Sequence, residues 1–197
     1  AKKHQLSIIC DEEYRLFCYN SIKMCDLYRL YDNCIIVRSF SKSLSITGLR
    51  LGYVIGPVEW ISQIKKWGLY SVMYPSSIIQ HAVYKILNED NSFQQNMVSR
   101  FQKRIDKVFP ILKSCKYIKC SYPEGSVYLW VDCNDISSDD YMISRRLLYN
   151  AGVAVVPGSC FGDSAKGFLR ISLGAKDEQL QTAILKIVDE INKMGGM

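Results

Sequence analysis

The sequence predicts an α/β protein, and three observations lead to that expectation. Three short apolar runs, Ile8 to Cys10, Cys34 to Val37 and Gly52 to Gly56, are continuous rather than alternating, as in strands buried on both faces of a sheet. Between them lie stretches with helical spacing, such as Trp60, Ile64 and Trp67. Past residue 91 the pattern changes to long helices framing short strands and glycine-bearing turns. Two parts are therefore expected, 1–91 and 92–197, the second opening with a long helix at Ser92.

The elements follow in order. Leu6 to Cys10 reads as the first strand and ends in the polar Asp11-Glu12-Glu13-Tyr14. Cys34 to Val37 is the second, ending in Arg38-Ser39, and Gly52 to Gly56 the third, closed by Pro57. Val58 to Tyr70 has helical periodicity, and Tyr74-Pro75-Ser76-Ser77 starts a helix that runs to about Asn88. From Ser92 to Ser114, Phe93, Met97, Phe101, Ile105, Val108 and Leu112 form one stripe, expected to be core. Tyr117 to Cys120 and Ser126 to Val131 read as strands around the turn Tyr122-Pro123-Glu124-Gly125. A helix from Ser138 to Asn150 should stop at Gly152, which sits where a C-terminal cap is wanted. Val153 to Val156 and Phe168 to Leu173 then flank a glycine-rich loop, and Lys176 to Met194 closes the chain as an amphipathic helix.

Composition narrows the function classes. Of 197 residues, 48% are apolar and 22% charged, the balance of a globular protein. The formal charge of +6 is spread thinly, and its densest pairs, Lys2-Lys3, Lys65-Lys66 and Arg145-Arg146, are isolated, so no nucleic-acid face is expected. No apolar run approaches the roughly 18 residues of a membrane-crossing helix, so no membrane partner is expected. The eight cysteines form no C-x-x-C pair, and His4 and His81 are the only histidines, which argues against a zinc site. Cys10, Cys34 and Cys133 sit in apolar runs, as reduced thiols of a cytoplasmic protein do. The chain enters a strand within a few residues of Ala1, as a piece of something longer would.

The densest chemistry lies in Ser39-Phe40-Ser41-Lys42-Ser43-Leu44-Ser45-Ile46-Thr47-Gly48-Leu49-Arg50-Leu51-Gly52-Tyr53. Hydroxyls and an arginine beside a lysine make a segment suited to an anion next to an amine. A desolvated lysine is a nucleophile toward aldehydes. Gly48 and Gly52 are expected to let the backbone approach its surroundings closely.

This string resembles the S-F-S-K-x(5)-G-x-R-x-G-Y signature of the class I/II aminotransferases, fold-type-I pyridoxal-phosphate enzymes. Asp11-Glu12-Glu13-Tyr14 is similar to the family's D-E-x-Y box, and Gly152 to Gly162 to its G-V-x-V-x-P-G-x-x-F-G segment. Phe168 to Leu173 resembles the strand whose arginine binds a substrate carboxylate. The resemblance implies the C-terminal half of that fold: the remainder of a large, mainly parallel-sheet domain plus an α+β small domain. It implies pyridoxal 5'-phosphate as a Schiff base on Lys42, with Asp11, Tyr14, Ser39, Ser41 and Arg50 as further cofactor ligands. Arg170 would seat the carboxylate of the substrate, either an amino acid or a 2-oxo acid. It also implies a homodimer and a missing N-terminal half of the same protein. Without that half the fragment is not expected to fold stably or turn over. Two other readings stay open: a decarboxylase or β-lyase built on the same machinery, and a non-catalytic fragment. Ser71-Val72-Met73-Tyr74-Pro75 departs from the family's S-x-S-N-P stretch, putting bulk at Met73 and Tyr74 where small polar groups are usual.

Overall fold

The computed structural model describes residues 1–89 and 92–196. Its Cα packing divides the chain into two units, Ala1–Val98 and Ser99–Met197. Asp90 and Asn91, where the sequence reading places its boundary, lie outside the described residues.

The first unit is built on a mixed three-stranded sheet. β1 (Ile8–Asp11) pairs in parallel with β2 (Cys34–Ser39), and β2 pairs antiparallel with β3 (Gly52–Ile55). The apolar run at 34–36 becomes the buried centre, since Cys34, Ile35 and Ile36 are nearly solvent-free. The outer strands correct the expectation of burial on both faces. β1 alternates, with Ile9 70% exposed, and Gly52 and Tyr53 of β3 are exposed. Only the central strand has neighbours on both edges.

Between β1 and β2 lies a one-turn helix that periodicity did not signal, α1 (Leu27–Leu30). Directly after β2, Phe40–Ser43 forms another single turn, α2, which periodicity did not signal either. Its cause is local: Ser39 is the N-cap, and its Oγ accepts the Ser41 amide at 3.0 Å. α3 (Val58–Ser71) and α4 (Ser77–Glu89) match the helices read from spacing. α4 contributes Val83 to a small core with Leu44 and Leu51, against which Phe40, Ile46 and Ile79 pack. α3 buries none of its residues.

α5 (Ser92–Lys113) keeps only the second half of the expected stripe in the core. Ile105, Val108 and Leu112 are buried, whereas Phe93 is 49% exposed. The second unit then folds a four-stranded antiparallel sheet in the order β4 (Lys119–Cys120), β5 (Tyr128–Asp132), β7 (Phe168–Ser172), β6 (Val156–Pro157). β4 and β6 are two residues each, shorter than the apolar runs suggested. Leu129, Val131, Leu169 and Ile171 point into the core, where Ile184, Ile187 and Ile191 of α7 (Asp177–Gly195) are also buried. α6 (Asp140–Arg146) begins two residues later than expected, with Asp139 as the N-cap that accepts the Met142 amide. It widens into a π turn at Leu147–Ala151 and stops at Gly152, which takes the left-handed conformation (φ 67°) that suits a residue without a side chain.

Candidate active site

Parallel strands place their functional groups at their C-terminal ends, and the predicted residues of the first unit gather there. Asp11 closes β1 opposite Val37, two positions before Ser39, and its Oδ1 accepts the Glu13 amide at 3.0 Å. Lys42 is the third residue of α2, and among the described residues its amine has no hydrogen-bond or ion-pair partner. Ser41 beside it is buried, and its carbonyl accepts Thr47 Oγ1 at 3.1 Å, folding the loop back on the helix. Arg50 adopts a left-handed conformation (φ 53°), and its guanidinium spends one N–H on the Thr47 carbonyl at 3.0 Å. Tyr14 lies beyond β1 in the turn after Asp11.

The two glycines behave differently from each other. A Cβ on Gly52 would stand 2.7 Å from the Arg38 carbonyl oxygen, so β3 can approach β2 this closely only without a side chain. Gly48 has nothing within 4 Å of the same point. The close approach expected of both is therefore real at Gly52 alone.

A cleft of about 990 Å³ opens in the first unit, lined by Glu12, Arg38, Ser39, Phe40, Tyr53 and Tyr84, among others. Of the six predicted cofactor residues only Ser39 touches it. Its size alone does not make it the cofactor face, because Asp11 and Lys42 are not among its walls. What it does expose is an interaction that sequence reasoning missed. Glu12, given no role of its own in the D-E-x-Y box, is 4% exposed and ion-paired to both Arg38 and Arg15.

Arg170 belongs to the second unit. β7 points it away from the core, paired across the sheet with Trp130. Its guanidinium carbon lies 4.2 Å from the Tyr128 ring centroid and 4.8 Å from that of Phe161. Trp130 packs edge-on to Phe161 and stacks on Phe168, both at 5.6 Å. Aromatic faces attract the cation through their quadrupoles while leaving its N–H donors free. Among the described residues no carboxylate or carbonyl takes them up. By contrast Arg15, Arg38, Arg100, Arg104 and Arg146 all face carboxylates. Cys120 and Tyr122 line the same cleft of about 620 Å³. Burial pushes the Cys120 thiol up to about 11, so it stays protonated and is no nucleophile at neutral pH.

The loop carrying Phe161 is held by a residue that no motif announced. Asp140, buried at the start of α6, accepts the amides of Ser159 and Gly167 at 2.9 and 3.0 Å and the Ser159 hydroxyl at 2.6 Å.

With this geometry in place, the comparison with known proteins is decisive. Residues 1–187 match the family described as aminotransferase class I and II. The chain belongs to that family. Curated relatives include aspartate aminotransferases of Pyrococcus abyssi, 32% identical over 93% of the chain, and of Thermotoga maritima, 34% identical over 98%. The chain spans about half the length of these relatives, 48% and 49% respectively. Among solved structures, the aromatic aminotransferase of Pyrococcus horikoshii superposes with a TM-score of 0.92 at 29% identity, covering 98% of this chain and 52% of that one. The α/β architecture is thus that of the C-terminal half of the aminotransferase fold.

Proposed function

We propose that this chain carries the lysine and the carboxylate anchor of an aminotransferase that moves an amino group between an amino acid and a 2-oxo acid. One observation carries the reading: Lys42 and Arg170, two of the three cations singled out in the sequence, stand without an acidic partner among the described residues. A lysine that must join a carbonyl needs an uncommitted amine, and an arginine that must seat a carboxylate needs uncommitted N–H groups.

The residues fit pyridoxal 5'-phosphate by their chemistry. Ser39, Ser41 and Arg50 supply hydroxyl and guanidinium donors of the kind a phosphate takes, and Asp11 ends a strand as an exposed carboxylate able to keep a ring nitrogen protonated. Tyr14 would hold the ring's phenolic oxygen, and Lys42 Nζ would form the covalent link as a Schiff base. When bound, the cofactor supplies a carbonyl carbon that joins amines and a protonated ring that takes up electrons. Arg170 then seats the substrate carboxylate. Lys42 Nζ, as a free amine, would take the proton from the substrate's Cα and return it at the other end of the transfer.

The same reading assigns residues 1–91 to the cofactor-binding domain and 92–197 to the small domain. It pairs the chain with the remaining half of the protein and with a second copy in a homodimer in the cytoplasm. Support for a covered face comes from the exposed apolar residues Trp67 (76%), Tyr70 (86%), Met73 (70%) and Tyr74 (76%). Borohydride reduction of the full-length protein with cofactor, followed by peptide mass spectrometry, should label Lys42. Product analysis should find a 2-oxo acid. Carbon dioxide, or pyruvate with ammonia, would instead establish the decarboxylase or lyase reading.

A further inference from the structure

We propose that Glu12 is a positioning residue: it locks the carboxylate end of β1 to the helix that carries Lys42. The inference rests on the reading of Asp11 and Lys42 given above, and goes beyond it by assigning a role to the residue between Asp11 and Glu13.

The Glu12 side chain is 1% exposed, yet it sits between an exposed aspartate and a polar turn. Its Oε2 accepts Arg38 Nε at 2.8 Å and lies 2.7 Å from Arg38 Nη2, while Oε1 accepts Arg15 Nη1 at 3.0 Å. The Glu12 amide also donates to the Val37 carbonyl at 2.9 Å, so its backbone and its side chain hold two adjacent residues of β2, Val37 and Arg38. Arg38 passes the constraint onward, because its Nη1 reaches the Tyr53 hydroxyl at 3.4 Å on the paired strand β3. The Tyr53 ring lies 5.3 Å from that of Phe40, the first residue of α2. Arg15, on the other side, reaches the Cys25 carbonyl at 3.2 Å and anchors the loop that precedes α1.

One buried carboxylate therefore ties together the ends of β1 and β2, the start of β3 and the first turn of α2. Two arginines converge on it, so a neutral side chain at position 12 leaves two partly dry guanidinium groups without their counter-charge. Relief comes from Arg38 swinging toward solvent, which frees Ser39 and α2 to shift relative to Asp11. Glu12 touches neither cofactor nor substrate in this scheme and acts through Arg38.

The test uses the full-length protein as wild type, Glu12→Gln, Glu12→Asp and the double variant Glu12→Gln/Arg38→Gln. Two readouts are taken besides turnover: affinity for pyridoxal phosphate by visible absorbance, and the visible circular dichroism of the bound cofactor, which reports how the ring is held. With an unchanged far-UV spectrum, Glu12→Gln should bind cofactor at least about tenfold more weakly, with an induced signal at least about twofold smaller, because displacement of a reacting group by about 1 Å is costly. Glu12→Asp keeps the charge and should recover part of both. Affinity and induced signal equal to wild type in Glu12→Gln overturn the proposal. Should that variant fail to fold, the double variant removes both charges together, and wild-type values there overturn it equally. A wild type that fixes no cofactor on Lys42 overturns the parent reading, an outcome distinct from a labelled wild type matched by its Glu12→Gln variant.

Discussion

At the scale of single residues, the proposed function depends on which charges are left unpaired. Arg170 lies between two rings instead of beside a carboxylate, so its loss should be felt by substrates and little by the fold. Arg170→Ala should raise KM for amino acids by about ten- to hundredfold, the worth of a charge-assisted hydrogen bond, while amines lacking a carboxylate change little. Equal damage to both substrate types in steady-state kinetics would instead mark Arg170 as structural. The rings predict a graded companion effect: Phe161→Leu should raise KM for amino acids by about two- to fivefold, as expected when a cation–π contact of about 0.5–1 kcal/mol is lost. Lys42→Ala should abolish turnover yet retain some cofactor, since Ser39 and Arg50 remain as the proposed phosphate donors; absorbance after dialysis measures what stays bound.

At the scale of elements, the lysine segment is set by its two flanks. Upstream, Ser39 caps α2; downstream, Gly52 lets β3 close on β2. Gly52→Ala places a methyl 2.7 Å from a backbone oxygen, which only strand movement can relieve. A loss of about 1–3 kcal/mol is expected in denaturant titration, the usual cost of overpacking. An unchanged midpoint would show that the strands give way freely. Helix spacing was legible throughout: α3, α4, α5 and α7 begin and end close to where their periodicity placed them. The one-turn helices at 27–30 and 40–43 were not, because a single turn has no period to read.

At the scale of the whole molecule, burial is uneven. Among the described residues, the buried hydrophobics of the first unit are eight and those of the second are 19. Residues 92–197 expressed alone should therefore unfold cooperatively, whereas 1–91 should not, as calorimetry of the two fragments can decide. Acid should act on the second unit through Glu190 and Asp177. Hydrogen bonds from Arg146 and then Asn150 hold the Glu190 carboxyl below its ordinary 4.5, and one from Arg104 lowers Asp177 below 3.8. Both fold-state values are depressed, so the stabilisation is complete above the ordinary carboxylate range and disappears as pH falls through the lower folded values. Thermal melts should show Tm falling toward pH 3, with a shallower fall in Glu190→Gln.

The sequence by itself determined the family and singled out Lys42 and the arginine of β7 as candidates, because those features are local strings whose chemistry needs particular residue types at particular spacings. It also determined the long helices and the stop at Gly152, which rest on periodicity and on a left-handed backbone. Only the tertiary structure decided which charges are committed. Glu12 and Asp140 look like ordinary acidic residues in the chain, and become buried organisers because distant segments bring arginines and amides to them. It likewise decided that β1 and β3 are half exposed, since burial on a second face depends on a neighbour and not on the apolar run itself.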